Sequence, residues 1–251
     1  MRILVTFAVD AEFVPWRKLR AFRKVASEQM DCYSVEVHGA EVCVLLTGMG
    51  RKKAGVESTK VIWDANVDFC ISSGLAGGLR AGHLAGEILV PLEVVNENGA
   101  SVACDVELIE LAEKNGAKRV GSFYTGSDVV LLADDKKRLG EMADAVEMES
   151  FDILEEAKGF GSKVLAVRAI SDTVDEDLPL DFNRVATDEG EVSLAKVFGQ
   201  IARNPAAIGP LVRFGRQSRM AAGKLCIFLD GFVDALTKQS EEMSITGAGA
   251  R

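Results

Sequence analysis

Short apolar segments alternate with helical segments through most of this sequence, and this alternation is its strongest constraint on the fold. Segments 2–9, 68–74 and 164–172 are typical of buried strands, and segments 105–115 and 150–160 are typical of helices. Strands that are apolar on both faces occur in parallel sheets that helices cover on both sides. The pattern therefore predicts an α/β domain with a largely parallel sheet.

The remaining elements follow from the same periodicities. A charged helix is expected from the first strand to about Ser27, and a hairpin is expected to turn at His38 and Gly39. The glycine-rich segment 73–79 is predicted to be a loop after a strand. Further predictions are a helix within 48–66, strands at 86–95 and 118–126, a short helix at 134–140, and a strand that passes into a helix around 143–150.

Length and composition favour one domain with a terminal appendage. A chain of 251 residues with 48% hydrophobic content can bury a large core. We expect an α/β domain over 1–187, C-terminal helices over 188–237 that pack on the same domain, and a flexible tail over 238–251. The net charge of −9 argues against a nucleic-acid partner, because binding phosphates requires a concentrated basic surface.

Cysteine usage and the N-terminus favour a cytoplasmic protein without metal. The five cysteines are scattered, and no Cys or His spacing is typical of a metal site, so we expect buried thiols in a reducing compartment. The first residues resemble a β-strand more than a signal peptide, and no segment of 18 uncharged apolar residues is present. His38 and His83 lie beside glycines in predicted turns, and we expect both at the surface.

Three carboxylates follow three predicted strands. Glu12, Glu149 and Asp172 lie near strand ends, and ligands of open α/β sheets bind at the carboxyl ends of the strands. Each alone is explained equally well as a helix cap, a helix-start charge or a turn residue. Together they form a set that suits acid/base work on a sugar bond.

The glycine-rich "SSGLAGGLRAG" leaves two interpretations open. Its backbone amides could hold an anion or a ribose, or it could be a tight strand-to-helix turn. It matches neither the Walker loop nor the G-x-G-x-x-G spacing. In "VEMES", Met148 would offer a soft apolar surface to a sugar ring, and the carboxylate beside it could accept hydrogen bonds from a vicinal diol.

Taken in order, "AVDAEF", "GLAGGL", "VEMES" and "VLAVRAISD" resemble the nucleoside phosphorylase and nucleosidase superfamily, in particular its methylthioadenosine/S-adenosylhomocysteine nucleosidase branch. The resemblance implies a three-layer α/β/α sandwich with a mixed central sheet, in homodimers or larger oligomers, without a cofactor. It implies that Glu12 activates the attacking water and that Asp172 protonates or hydrogen-bonds N7 of the purine. Substrate contacts are implied for Met148, Glu149, Ser171, Val129, Val130, Gly74 and Leu75, with Arg168 in the supporting strand.

The resemblance implies cleavage of the N-glycosidic bond of a purine nucleoside, an adenosyl compound, by hydrolysis. Leu75 departs from the branch, which has a hydroxyl residue at that position. The phosphate loop of a phosphorylase is missing, although Arg51 and Arg80 could replace it, so phosphorolysis stays an alternative. A nucleoside-binding sensor without catalysis is the non-enzymatic alternative. Leu180 or Phe182, in the acidic segment 172–185, is expected to line the 5′ group.

The segment 199–224 is a basic appendage with five basic residues and no acidic one. It resembles the tail of hopanoid-associated members of the superfamily, which implies a lipid-linked adenosine as an alternative substrate. Two interpretations stay open for it. It is a basic helical pair packed on the acidic body or on a partner subunit, or it is an interfacial helix that makes peripheral contact with anionic membranes.

Overall fold

The computed structural model describes residues 1–25, 31–48, 66–185, 200 and 204–248. Its strands are β1 (Arg2–Phe7), β2 (Arg23–Val25), β3 (Asp31–Val37), β4 (Ala40–Leu46), β5 (Phe69–Gly78), β6 (Ile88–Asn96), β7 (Ser101–Ala103), β8 (Lys118–Thr125), β9 (Ala145–Glu147) and β10 (Lys163–Asp172). Its helices are α1 (Asp10–Leu19), α2 (Val106–Lys114), α3 (Ala133–Leu139), α4 (Ser150–Gly159), α5 (Phe182–Val185) and α6 (Ile208–Ala248), which a 3₁₀ turn at Pro205–Ala207 precedes.

The strands form one mixed sheet. Strand β1 lies parallel between β4 and β5, and β5 pairs parallel with β10. Antiparallel pairs join β10 to β6 and β5 to β9, while β6, β8 and β9 run parallel, so these five strands form a closed circuit. The largely parallel sheet predicted from periodicity is wrong, because apolar strands also occur in these antiparallel pairs. The mixed sheet of a three-layer α/β/α sandwich with a C-terminal helical extension is confirmed.

Two predicted boundaries are corrected by pairing that the local sequence does not reveal. The glycine-rich segment is not a loop, because β5 continues to Gly78 and pairs with both β10 and β9. Helix α1 ends at Leu19, and Arg23–Val25 pairs antiparallel with β3, so the helix predicted to about Ser27 is too long. The hairpin is confirmed: His38 and Gly39 both have positive φ angles, as a type I′ turn requires. The helix predicted within 48–66 lies almost wholly outside the described residues.

Helix α6 is a single helix of 41 residues, about 60 Å long, where a helical pair was one expectation. Its buried face packs Leu225, Leu229 and Phe232 on the main core. Asp230 fixes it to α1, because Trp16 Nε1 donates to Asp230 Oδ1 over 2.9 Å. The helix continues through 238–248, and the division of the chain at 187 and 237 stays a prediction. Among the described residues, no helix has the length and apolarity needed to cross a membrane.

Candidate active site

Asp172 is aimed by a bulge at the end of β10. The register between β10 and β5 shifts between Ile170 and Asp172, which leaves Ser171 as the extra residue. A bulge of this kind bends the strand and redirects the side chain that follows. Ser171 Oγ lies 3.1 Å from the Ala76 carbonyl and 2.6 Å from Asp172 Oδ1, so the serine fixes the carboxyl group from one side.

Lys136 fixes Asp172 from the other side. Its ammonium lies 2.5 Å from Asp172 Oδ2, and the lysine side chain is completely buried. The same nitrogen donates to the carbonyl oxygens of Thr173 and Glu176 over 3.3 and 2.6 Å. Lys136 is a residue that the sequence analysis missed, because a lysine in "ADDKKRL" looks like part of a solvated helix surface.

Glu12 is buried at the start of α1, at position N3. Its Oε1 accepts a hydrogen bond of 3.0 Å from the backbone N–H of Leu75, and its Oε2 faces the backbone N–H of Val9. Burial raises the pKa of Glu12, although the Leu75 amide and the charge of Arg168 act in the opposite direction. A carboxylate with a raised pKa is better suited to accept a proton near neutral pH.

Two glycines of β5 each lie against one of the two carboxylates, Glu12 and Asp172. A Cβ on Gly74 would lie 3.3 Å from Glu12 Oε1, and a Cβ on Gly77 would lie 3.2 Å from Asp172 Oδ2. Gly74 and Gly77 are three residues apart, which is about 10 Å along a strand. The glycine-rich run is therefore a strand whose missing side chains leave space for two acidic groups.

Glu147 and Glu149 have different roles, although the sequence places them only two residues apart. Glu147 is buried and forms an ion pair of 2.6 Å with Arg168, which is itself 1% exposed. Thr125 Oγ1 and the backbone N–H groups of Glu149 and Ser150 also donate to Glu147. Burial alone would raise the pKa of Glu147, but the charge of Arg168 and these donors hold it below its usual value.

Glu149 lies two residues after Glu147, at the N-terminus of α4. It is 9% exposed and Met148 beside it is half-buried, at the end of the strand that pairs with Gly77 and Gly78. Met148 and Glu149 therefore directly follow the strand that pairs with the glycine run.

The predicted base-pocket residues lie in a segment that is held against the acidic loop. Val129 exchanges two backbone hydrogen bonds with the side-chain amide of Asn183, and Leu178 N donates to the Leu131 carbonyl. Val129 and Val130 are both half-buried. Phe182 packs on Phe214 of α6, with ring centroids 5.4 Å apart. The segments around Val129 and Phe182 are thus brought together.

A small cleft, open to solvent, extends from Asp172 toward α6. Its lining includes Asp172, Leu178, Pro179, Pro210, Arg213 and Phe214. One wall is therefore the acidic loop and the other is the basic helix.

Other polar candidates differ from the expectations. His83 is buried rather than exposed, because it contacts Glu87 over 3.0 Å, whereas His38 is more than a third exposed. Arg80 donates to the Gly140 carbonyl and lies 3.3 Å from Asp144. Arg51 lies outside the described residues.

The five cysteines are free thiols, and burial raises the pKa of Cys226 to about 12.

Comparison with known proteins agrees with this geometry. The sequence profile of the phosphorylase superfamily matches residues 2–203. A 5′-methylthioadenosine/S-adenosylhomocysteine nucleosidase of Actinobacillus succinogenes is 29% identical over 191 residues, which cover 66% of this chain and 83% of that protein.

Solved structures show the same fold. The 5′-methylthioadenosine/S-adenosylhomocysteine nucleosidase of Helicobacter pylori, in complex with a pyrrolidin-3-ol compound, superposes with a TM-score of 0.72 at 20% identity, covering 93% of this chain and 98% of that one. The native futalosine hydrolase of H. pylori also gives 0.72 at 20% identity, with 93% and 97% covered. Since the profile spans most of the sequence, this chain belongs to the phosphorylase superfamily.

Proposed function

We propose that this protein hydrolyses the N-glycosidic bond of a purine nucleoside, an adenosyl compound, and releases the free base. The observation that carries the proposal is that Glu12 lies against Gly74 and Asp172 against Gly77, two glycines that are about 10 Å apart along β5. Relatives named as nucleosidases support the same reaction class.

Glu12 acts as the general base. Its buried carboxylate, whose pKa is raised, accepts a proton from water as the water oxygen attacks C1′ of the sugar. Positive charge develops on the ribose as the bond to the base breaks, and a nearby carboxylate stabilises that charge. The Leu75 contact to Glu12 is made by its backbone N–H, so the absence of a hydroxyl at position 75 leaves this orientation in place.

Asp172 acts at the departing base. The electron pair of the broken C1′–N9 bond moves into the purine. Asp172, in its protonated form, donates its carboxyl proton to N7, and the carboxylate that results is stabilised by Lys136 and Ser171. Ser171 and Lys136 hold the two carboxyl oxygens in a fixed direction. Glu149 accepts hydrogen bonds from the 2′ and 3′ hydroxyls, and Met148 packs on the sugar.

Hydrolysis is favoured over phosphorolysis because Arg80, a candidate phosphate ligand, already has partners within the protein. Its guanidinium donates to the Gly140 carbonyl and lies 3.3 Å from Asp144. The cleft between the acidic loop and α6 favours a second candidate, a nucleosidase for a lipid-linked adenosine, because Leu178, Pro179 and Phe214 offer an apolar path beside Asp172. Peripheral contact of 199–224 with anionic membranes would accompany that substrate.

The decisive experiment is incubation with a panel of adenosyl nucleosides, with and without phosphate, while free base is measured. We expect base release without phosphate and no ribose 1-phosphate. The Asp172→Asn variant should keep the fold and lose about 10²- to 10⁴-fold in turnover. Near-normal turnover of this variant would remove Asp172 from the mechanism, and binding without any product would identify a sensor instead.

Two features of the proposal concern assembly and membranes. We expect a homodimer, and light scattering after gel filtration tests this expectation.

Co-sedimentation with anionic vesicles at low salt tests the membrane contact, and replacing Arg213, Arg216 and Arg219 by glutamate should abolish vesicle binding. An absence of vesicle binding by the unmodified protein would contradict the lipid-linked candidate.

A further inference from the structure

We propose that Lys136 is a positioning residue for Asp172, which aims the carboxyl group at the departing base; this role rests on the nucleosidase function proposed above. Lys136 lies 36 positions before Asp172, in α3, and nothing in its local sequence connects it with the site. The role follows from where its ammonium lies and what it contacts.

The ammonium of Lys136 makes three directed contacts. It lies 2.5 Å from Asp172 Oδ2, 2.6 Å from the Glu176 carbonyl and 3.3 Å from the Thr173 carbonyl. An ammonium has three donors, so these acceptors use all of them. The nitrogen is therefore fixed in place and has no donor left for substrate.

A completely buried lysine is unusual and needs a partner. Moving an ammonium out of water costs several kcal/mol, which is offset here by a carboxylate and two carbonyl oxygens. An apolar side chain at position 136 would avoid this cost, but Asp172 would then have only Ser171 as a side-chain donor. The observed arrangement instead fixes Oδ2 from Lys136 and Oδ1 from Ser171, so that the carboxyl plane is determined by two donors.

The same lysine connects Asp172 with the loop that follows it. Thr173 and Glu176 supply the two carbonyls, and Glu176 Oε2 in turn accepts from Gln217 Nε2 of α6 over 3.0 Å. Lys136 therefore joins the carboxyl group, the acidic loop and, through Glu176, the basic helix. Its loss should leave Asp172 present but aimed less accurately, and a misplacement of about 1 Å can cost about 10²-fold in rate.

The test compares Lys136→Gln with Lys137→Gln. Glutamine removes the charge but can still donate to the two carbonyls. Lys137, on the same helix, is a matched control because its exposed ammonium pairs with Asp175 in the loop after β10. We expect Lys136→Gln to lower kcat on a purine nucleoside by about 10- to 100-fold with little change in KM. Lys137→Gln should be unchanged.

Two further measurements separate positioning from a general structural defect. With p-nitrophenyl β-D-riboside, whose phenolate leaves without protonation, Lys136→Gln should retain nearly full turnover. In the Asp172→Asn background, Lys136→Gln should cost little more, because residues that act as one unit are not additive. Equal loss on both substrates, or the same loss factor in both backgrounds, would overturn the proposal.

The outcomes remain distinguishable from those of the proposed function. If the unmodified protein releases no base, the nucleosidase function fails, whereas the positioning role fails only when the unmodified protein is active and the pattern above is absent. Should Lys136→Gln not fold, Lys136→Arg keeps the buried charge but moves it relative to Oδ2, and the same two-substrate comparison applies. The double-variant comparison needs only the purine nucleoside, so it is decisive even where the riboside is a poor substrate.

Discussion

Strand β10 carries two buried ion pairs four residues apart, and they differ in what surrounds the carboxylate. Arg168 pairs with Glu147 below the site, and Asp172 pairs with Lys136 at the site. The Arg168 guanidinium also donates to Ser72 and Ser150, so this pair joins β5, β9, β10 and α4. The Asp172 pair lies at the edge of a cleft.

Two buried ion pairs of similar chemistry can therefore have different roles: the Arg168–Glu147 pair stabilises the fold, and the Lys136–Asp172 pair holds a group that can react. Glu147 accepts four hydrogen bonds on its two oxygens, which leaves its carboxylate saturated. Asp172 accepts one on each oxygen from Ser171 and Lys136, and it faces a glycine rather than a side chain. A saturated carboxylate stabilises the fold, whereas one with lone pairs directed into a cleft can act on a ligand.

The largest expected effect comes from removing the buried ion pair between Arg168 and Glu147. Arg168→Met should lower the free energy of unfolding by about 3–5 kcal/mol, because it leaves Glu147 buried without its charged partner. Urea unfolding followed by circular dichroism measures this loss.

Arg80→Met is the matched control for that experiment. Arg80 is half exposed, and the buried Asp144 keeps two backbone N–H donors, those of Gly121 and Ser122, when Arg80 is removed. We therefore expect a loss of at most about 1 kcal/mol. Equal losses from Arg168→Met and Arg80→Met would show that burial and saturation do not distinguish the two arginines.

The next effect should fall on turnover rather than stability. Gly77→Ala would place a Cβ 3.2 Å from Asp172 Oδ2 and 3.3 Å from a methyl group of Val146. The carboxyl group must then move by a few tenths of an ångström, and we expect kcat to fall about tenfold while stability falls by about 1–2 kcal/mol.

Gly121→Ala provides the control, because its Cβ would also lie 3.2 Å from a carboxylate oxygen, that of Asp144, which lies outside the site. Its turnover should be unchanged. A similar fall in kcat for both variants would mean that Asp172 is not sensitive to its exact position.

These two regions also show what the sequence could reveal. The order of "AVDAEF", "VEMES" and "RAISD" predicts the superfamily and its mixed sheet, and both are confirmed. The roles of Glu12, Glu149 and Asp172 stay predictions that the observed geometry supports. Strand alternation located Glu12 and Asp172, because β1 and β10 both run parallel to β5, whereas β9, which precedes Glu149, runs antiparallel to β5.

The missed features depend on tertiary contacts. Lys136 is indistinguishable from Lys137 in the sequence, because only the packing of α3 on the loop after β10 buries one of them. The glycine run was predicted as a loop because glycine is unfavourable in strands, and the pairing of β5 with β9 and β10 overrides that preference. Glu147 and Glu149 are only two residues apart in the sequence, and it is the tertiary structure that pairs Glu147 with Arg168.

The smallest expected effect is a difference in how two buried carboxylates respond to pH. The folded-state pKa of Glu147 is lowered, so its contribution to stability is present above its unfolded value of 4.5 and is lost as the pH falls through the folded value. Glu147→Gln should therefore be more destabilised at neutral pH than in acid. Thermal unfolding between about pH 3 and 8 measures both this variant and the next.

Glu12 should behave in the opposite way, because burial raises its pKa in the folded protein. The folded state then binds more protons than the unfolded state, so the stability of the unmodified protein decreases as the pH rises from 4.5 through the folded value. Glu12→Gln does not titrate, and its stability relative to the unmodified protein should increase over this range while turnover is lost. A stability difference that does not change with pH would show that Glu12 is not held in a desolvated state, and it would remove the physical basis for its role as the base.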